Sequence, residues 1–256
     1  MTSPKEKLKA LIGRETARCI WLDIPSAMTA EIAGQAGAEL CVVDAEHGQI
    51  GPETIVQMLR ALELSGTPGI VRVGDATPGP IKHALDGGAA GVIVPYVESV
   101  AEAQTAIDAF YLPPLGRRGT ATIVTRAGGF GADPGYGPRW NSTGLLALMI
   151  ETGRGLAAAP DIAALEGTDI LFFGPYDFAT DQGLDPIGDS EAILQAYRLV
   201  ADAAHQAGKL AAAFPWPGAD AVRLLSEGAD LVAIGADVIA LRQGLAGALA
   251  ACAVPD

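Results

Sequence analysis

Short apolar segments alternate with amphipathic segments of helical length along nearly all of the chain. Because the apolar segments carry no polar face, their sheet must be covered on both sides, as in parallel sheets with crossover helices. The predicted strands are 17–24, 39–44, 69–73, 91–96, 145–151, 169–174, 210–215 and 231–235, and the predicted helices between them include 27–36, 52–65, 78–87, 98–110, 189–207 and 217–228. Eight strand–helix units in 256 residues predict an α/β fold, a single (β/α)8 TIM barrel with an N-terminal helix, rather than an open doubly wound sheet.

The chain shows no linker and no change in composition, so residues 1–256 are predicted to form one domain. Neither GxGxxG after the first strand nor GxxxxGK[ST] occurs, which removes the main support for dinucleotide-binding and P-loop functions. One long Gly/Pro-rich connection, 111–142, joins the fourth and fifth strands. Loops of this length are usually functional, so we expect an active-site cover or a subunit contact, with a solvated loop as the alternative.

The composition narrows the class of partner and the compartment. A formal net charge of −13 argues against nucleic acid and anionic membranes as partners. Cys19, Cys41 and Cys252 are too scattered for a disulfide framework or a CxxC metal site, which favours a reducing compartment. The N-terminal segment lacks the apolar stretch of a signal peptide, and no apolar run is long enough to span a bilayer. A soluble cytoplasmic protein is therefore expected.

Polar side chains stand where four of the predicted strands end. They are Asp44, Glu46 and His47 after the second strand, Arg72 on the third, Glu151 on the fifth and Asp177 after the sixth. The active sites of TIM barrels lie at the face formed by the C-terminal ends of the strands. We therefore expect these side chains to converge on one site.

Two of these side chains, Glu151 and Asp177, belong to neighbouring strands. Two carboxylates that close repel each other and raise one pKa unless a cation lies between them. An oxygen-only pair suits Mg²⁺ or Mn²⁺, with Co²⁺ or Zn²⁺ as substitutes. The sequence therefore predicts a divalent metal site, and the alternatives are that a carboxylate caps the next helix or pairs with Arg154.

The segment GPYD, residues 174–177, follows the sixth strand. Gly174 and Pro175 are predicted to turn the chain sharply out of the strand. The N–H groups of Tyr176 and Asp177 would then face the mouth of the barrel and accept a carboxylate.

Arg72 and His47 are the candidate catalytic cation and base. Arg72 offers a planar fork of donors for an oxygen that becomes an enolate, and the alternative is a structural pair with Asp44 or Glu46. His47 follows Asp44 by three positions. We expect the Asp44 carboxylate to orient the imidazole of His47, which would act as a general base.

The motif Asp-x-Glu-His-Gly, the strand-end arginine, the IET strand and the GPxDF turn together resemble the HpcH/HpaI aldolase family. Members are metal-dependent, class II aldolases of 4-hydroxy-2-oxo acids, and the resemblance covers nearly the whole chain. It implies a (β/α)8 barrel, commonly assembled into a hexamer of swapped dimers. It also implies reversible aldol chemistry between a 2-oxo acid, pyruvate or hydroxypyruvate, and an aldehyde.

The resemblance also implies a role for each site residue. Glu151 and Asp177 would hold the divalent ion, which would chelate the carboxylate and keto oxygen of the 2-oxo acid. Arg72 would bind the keto or enolate oxygen, and the amides near Tyr176 would bind the carboxylate. His47, oriented by Asp44, would move a proton. Glu46 would support the loop.

Tyr176 and the loop 127–141 depart from the family pattern. Tyr176 stands where small residues are common, so it is expected to narrow the pocket. Phe214 and Trp216, at the end of the seventh predicted strand, are expected to line the path of the aldehyde. The donor and the aldehyde therefore stay open.

Three alternative functions make different demands on the sequence. A Schiff-base aldolase needs a lysine at the barrel mouth, and no predicted strand end carries one of the five lysines, Lys5, Lys7, Lys9, Lys82 and Lys209. A citrate-lyase-like or acyl-CoA lyase activity remains the main alternative, because it needs the same arginine and carboxylates. A purely structural metal-binding barrel would not need the complete strand-end set.

Overall fold

The strands of the computed structural model, which describes Glu6 and residues 17–252, form a closed parallel barrel in sequence order. They are β1 (Ala17–Leu22), β2 (Leu40–Asp44), β3 (Gly69–Arg72), β4 (Gly91–Val94), β5 (Leu145–Ile150), β6 (Ile170–Phe173), β7 (Leu210–Ala213) and β8 (Leu231–Ala236). The last strand pairs with the first, which closes the barrel. The predicted (β/α)8 barrel is confirmed, whereas the predicted N-terminal helix, apart from Glu6, falls outside the described residues.

Helices follow the strands and cover the barrel. They are α1 (Ala27–Gln35), α2 (Pro52–Ser65), α3 (Pro78–Asp86), α4 (Val100–Phe110), α5 (Tyr136–Thr143), α6 (Gly153–Ala163), α7 (Pro175–Gln182), α8 (Ser190–Gln206), α9 (Ala221–Ser226) and α10 (Asp237–Ala251). Their ends follow local chemistry: Ser99 and Thr152 cap helix N-termini through their hydroxyls, and Gly66 ends α2 with a left-handed φ of 72°. None of the helices among the described residues combines the length and apolar composition needed to cross a membrane.

The strands are apolar because both of their faces are buried. Val42 of β2 belongs to the cluster that fills the barrel, and its neighbour Val43 belongs to the cluster packed between the strands and the helices. The same alternation holds for Ile70 and Val71 of β3. Side chains of successive strand residues point to opposite faces, so a parallel barrel needs apolar residues at nearly every strand position.

The connection 111–142 is more structured than its composition predicts. It contains α5 and a short 3₁₀ turn at Gly129–Gly131. Trp140 of α5 is buried and donates from its indole nitrogen to the carbonyl of Phe110 at 3.0 Å. No residue of this connection lines the cavity at the C-terminal ends of the strands. The expectation that it covers this chain's own site is therefore wrong, and a subunit contact stays a prediction.

Candidate active site

A cavity of about 480 Å³ lies at the C-terminal ends of the strands. The residues that line it are Trp21, Asp23, Asp44, His47, Arg72, Met149, Gly174, Pro175, Tyr176, Asp177, Phe214, Ala236, Val238 and Ile239. Most of the residues that the sequence predicts for the site therefore line this one cavity. Glu151 lies against its wall, because a Cβ atom built on Gly174 would be 2.3 Å from Glu151 Oε2.

Arg72 and Asp44 form a buried ion pair across neighbouring strands. They face each other in the register of β2 and β3. Arg72 Nε donates to Asp44 Oδ1 at 3.0 Å, and Nη2 donates to the other oxygen. Arg72 Nη1 lies 3.0 Å from Glu46 Oε2, so the structural pairing considered from the sequence is present. The indole of Trp21 donates to Asp44 at 3.1 Å, and its ring lies 5.1 Å from the guanidinium carbon.

This pair is charged in spite of its burial. Burial opposes ionisation of Asp44, but the hydrogen bonds and charge of Arg72 outweigh it and hold the pKa of Asp44 at about 2. The guanidinium has five N–H donors, of which two bond to Asp44 and one faces Glu46. Two donors therefore remain for an anionic group in the cavity that Arg72 lines.

The imidazole of His47 is not held by Asp44. Asp44 Oδ1 accepts the backbone N–H groups of Glu46 and His47, at 3.0 and 3.1 Å. The imidazole itself is largely exposed, and its Nε2 lies 3.8 Å from Glu46 Oε2. The prediction that the Asp44 carboxylate orients the ring is therefore wrong, because its oxygens are occupied by Arg72, Trp21 and the backbone. Asp44 fixes the loop that carries His47, and Glu46 is the carboxylate beside the ring.

Glu151 and Asp177 come together on the opposite side of the site. Glu151 is buried, and its Oε1 accepts the backbone N–H of Tyr96 at 2.7 Å. Its Oε2 is buried without a hydrogen-bond partner. Burial, and then the charges of Asp177 and Glu46, raise the pKa of Glu151 to about 7. Asp177 Oδ1 accepts a hydrogen bond from the hydroxyl of Tyr96 at 2.9 Å.

The sequence also allows these carboxylates to pair with Arg154 or to cap a helix. Arg154 pairs with Glu98 instead. Asp177 lies in the first turn of α7, where a negative charge is favourable, but Gly174 precedes this helix and no side chain caps it. Thr152 caps the helix that follows Glu151. The described residues contain no group of three His, Cys, Asp or Glu side chains placed to hold a metal ion. An ion at Glu151 and Asp177 would therefore take its other ligands from water or substrate.

The turn into α7 is tight, as the sequence predicts. Gly174 precedes the helix, and Pro175 occupies its first turn without an N–H group. The first amide to bond within the helix is that of Phe178, which donates to the carbonyl of Gly174 at 3.1 Å. The N–H groups of Tyr176 and Asp177 therefore lack intrahelical partners and lie at the cavity.

Phe214 and Trp216 take opposite directions after β7. Phe214 lines the cavity and packs edge-to-face with Trp21, at 5.6 Å between ring centroids. Trp216 is buried behind the barrel wall against Phe173, and its indole donates to Ser190 at 3.1 Å. The prediction that Trp216 lines the aldehyde path is wrong. A bridge between Trp216 and Ala219 shapes the chain here, and α9 is shorter than the helix predicted over 217–228.

Sequence reasoning missed Trp21, Asp23 and Tyr96. Trp21 belongs to an apolar strand, and this pattern indicates a core residue. Asp23 follows β1 directly, so the strand-end rule that found the other carboxylates could have found it. Burial, and then the neighbouring Asp44, raise the pKa of Asp23 to about 7. Tyr96 carries no polar signal of this kind, because an aromatic residue after a strand usually packs.

The Arg72–Asp44 pair generates a stability prediction. Asp44→Asn should lower the free energy of unfolding by about 3 kcal/mol, because it leaves a buried cation without its main partner. Asp44 is more acidic in the folded chain than its ordinary pKa of 3.8. Its contribution is therefore full above about pH 4 and is lost as the pH falls towards about 2. Urea unfolding at several pH values measures this.

The control is Asp202→Asn, which removes the same charge from an exposed position on α8. It should change the free energy of unfolding by less than about 0.5 kcal/mol. Equal stability of Asp44→Asn and the unaltered chain at pH 7 would contradict the buried ion pair.

Similarity to known proteins agrees with this geometry. The family model described as HpcH/HpaI aldolase/citrate lyase matches residues 18–243. The hydroxypyruvate/pyruvate aldolase of Agrobacterium fabrum is 36% identical over 244 residues, which cover 93% of this chain and 90% of that protein. The 2-dehydro-3,6-dideoxy-6-sulfogluconate aldolase of Pseudomonas putida is 41% identical over 160 residues, or 62% of each chain.

A solved structure is similar over almost its full length. The crystal structure of an HpcH/HpaI aldolase/citrate lyase family protein from Burkholderia cenocepacia J2315 is 30% identical, with a TM-score of 0.86, covering 94% of this chain and 97% of that one. The barrel, its strand-end residues and these similarities lead to one assignment. The chain belongs to the HpcH/HpaI aldolase/citrate lyase family and is a carbon–carbon lyase.

Proposed function

We propose that this protein is a divalent-metal-dependent aldolase that reversibly joins a 2-oxo acid, pyruvate or hydroxypyruvate, to an aldehyde through an enolate. One observation carries the proposal. Glu151 Oε2 is a buried carboxylate oxygen without a hydrogen-bond partner, and burial, followed by the charge of Asp177, raises the pKa of Glu151. A buried anion of this kind needs a cation, and a cation beside Arg72 is what an enolate-forming site requires.

The two carboxylates fit a hard divalent ion. Mg²⁺ or Mn²⁺ is the preferred occupant, because both take oxygen ligands and keep several positions for water or substrate. Co²⁺ or Zn²⁺ would be substitutes. When bound, the ion would supply positive charge that stabilises the enolate form of the 2-oxo acid.

The chain's own residues would bind and orient the donor. Arg72 stays charged at every working pH, and its two remaining N–H donors would bind the keto oxygen as it becomes an enolate. The free amides of Tyr176 and Asp177, at the positive end of α7, would bind the carboxylate of the oxo acid. The donor would thus be held at both ends before a proton moves.

His47 is the proposed proton-transfer residue. Its ring is largely exposed at the cavity, beside Glu46, and its loop is fixed through the backbone by Asp44. A side chain on a fixed loop with an accessible ring can take a proton from substrate or water and return it.

The aldehyde would enter along the apolar side of the cavity. Phe214, Tyr176, Val238 and Ile239 line that side. An apolar wall excludes water from the enolate and contributes little discrimination among short aldehydes. The named relatives support an open choice, because a hydroxypyruvate/pyruvate aldolase and a sulfogluconate aldolase share this family.

The citrate-lyase-like or acyl-CoA lyase alternative has less support. A CoA ester brings phosphates that would need several cationic side chains near the mouth. Among the described residues that line the cavity, Arg72 is the one arginine or lysine. We therefore favour a small 2-oxo acid and an aldehyde as the reactants, with no nucleic acid and no membrane as partners.

The exposed face of α10 supports self-association. Leu241, Leu245 and Leu249 are more than half exposed, and no residue of this helix is buried. An apolar helix without cover is typical of an interface. We infer a homo-oligomer, with the hexamer of the resemblance as the expected form, built from single-domain chains in the cytoplasm.

Metal dependence is the first test of the proposed function. Exhaustive chelation should abolish cleavage of 4-hydroxy-2-oxo acids, and Mg²⁺, Mn²⁺ or Co²⁺ should restore it, because two carboxylates alone hold an ion only moderately. Product mass from a panel of pyruvate and hydroxypyruvate donors with short aldehydes identifies the substrates. Borohydride with pyruvate should trap no adduct. Full activity after chelation would remove Glu151 and Asp177 from the mechanism.

The role of His47 gives a second test. His47→Ala should lower turnover by roughly 10²–10⁴ if the ring is the general base, and should leave binding of Mn²⁺ unchanged. His83→Ala on α3 is the control, since that histidine lies on a helix outside the cavity. Loss of Mn²⁺ binding in His47→Ala would show that His47 is a ligand and would contradict this mechanism.

A further inference from the structure

We propose that Tyr96 is a positioning residue that orients both proposed metal-binding carboxylates and so sets the affinity of the site for a divalent ion. The inference rests on the proposed function, because it assigns a role towards the same ion. It concerns a residue just beyond the end of β4, a strand whose end carries no predicted catalytic group.

Tyr96 contacts each carboxylate with a different donor. Its backbone N–H donates to Glu151 Oε1 at 2.7 Å, and its hydroxyl donates to Asp177 Oδ1 at 2.9 Å. Glu151 comes from the end of β5 and Asp177 from the first turn of α7. One residue therefore joins two acidic groups that stand on separate elements.

The backbone of Tyr96 is held in a conformation that a non-glycine residue rarely adopts. Its φ is 51°, in the left-handed region. Such a conformation costs on the order of 1–3 kcal/mol and persists only where surrounding contacts determine it. Here the conformation accompanies both bonds, with the amide on Glu151 and the side chain on Asp177. Strain of this kind is often found at functional sites.

The two bonds leave room for an ion. They engage Oε1 of Glu151 and Oδ1 of Asp177, while Oε2 of Glu151 stays buried without a hydrogen-bond partner. Two donors on one residue, each bonded to one oxygen of a repelling carboxylate, reduce the free energy needed to bring the two carboxylates together. Partners that orient metal ligands in this way typically contribute about 10- to 100-fold in affinity.

A structural role for the hydroxyl has little support. Tyr96 is about half exposed, so removal of its hydroxyl leaves no buried cavity. Tyr96→Phe keeps the ring and the backbone N–H, and deletes only the bond to Asp177. The variant therefore isolates the hydroxyl.

The experiment is Mn²⁺ titration of the metal-free full-length chain without substrate, followed by electron paramagnetic resonance of free Mn²⁺. Tyr96→Phe should raise the Kd by about tenfold. At saturating Mn²⁺ its kcat should approach that of the unaltered chain, because the hydroxyl acts through the carboxylate. The midpoint of thermal unfolding of the metal-free protein should not change.

The matched control is Tyr136→Phe. This substitution also removes one hydrogen bond between a tyrosine hydroxyl and a charged group, because the Tyr136 hydroxyl accepts from Arg118 Nη2 at 3.1 Å. Tyr136 lines a different cavity, beside Gly69 and Ala90, where β3 and β4 begin. The Mn²⁺ affinity of the Tyr136→Phe protein should stay within about twofold of that of the unaltered chain.

Glu151→Gln distinguishes a failure of the proposed metal site from a failure of the role of Tyr96. Tight Mn²⁺ binding that Glu151→Gln abolishes and Tyr96→Phe leaves unchanged would overturn the role of Tyr96 and leave the proposed metal site intact. Equal Mn²⁺ binding by the unaltered chain and Glu151→Gln would overturn both. An equal rise in Kd for Tyr96→Phe and Tyr136→Phe would also overturn the role of Tyr96.

Discussion

The buried ion pair between Arg72 and Asp44 is the interaction on which the arrangement of this site depends. A cation and a carboxylate removed from water lose several kcal/mol of hydration each, and the pair is stable only if its hydrogen bonds are satisfied. The register of β2 and β3 places the two residues opposite each other, and the indole of Trp21 in β1 donates a further hydrogen bond to Asp44. Because Asp44 also holds the amides of the following loop, the same pair fixes the position of His47.

The site contains two groups of charged residues. The ends of β2 and β3 present Arg72 with its partners Asp44 and Glu46, and the ends of β5 and β6 present Glu151 and Asp177 with Tyr96 between them. Two neighbouring carboxylates without a cation are unfavourable in a low-dielectric cavity. The proposed divalent ion would balance these two carboxylates and would supply a partner for Oε2 of Glu151, which is buried without a hydrogen-bond partner.

The sequence predicts the barrel and the strand-end residues because both follow from short-range rules. Period and length identify strands, and parallel strands place their ends at one face. The sequence does not predict the direction in which an individual side chain points. A spacing of three residues cannot tell whether Asp44 meets the ring or the amide of His47, and the path after β7 sends Phe214 inward and Trp216 outward. The left-handed backbone of Tyr96 likewise has no sequence signal.

The exchange of pyruvate methyl protons with D₂O, followed by NMR without any aldehyde, measures enolate formation at this site directly. Exchange requires the enolate and nothing later in the reaction. We expect exchange in the metal-loaded protein and a loss of about 10²–10³ in rate for Arg72→Ala, with poor rescue by Arg72→Lys because a point charge does not replace the planar guanidinium fork. Exchange at the unaltered rate in a folded, Mn²⁺-binding Arg72→Ala protein would contradict the proposed role of Arg72.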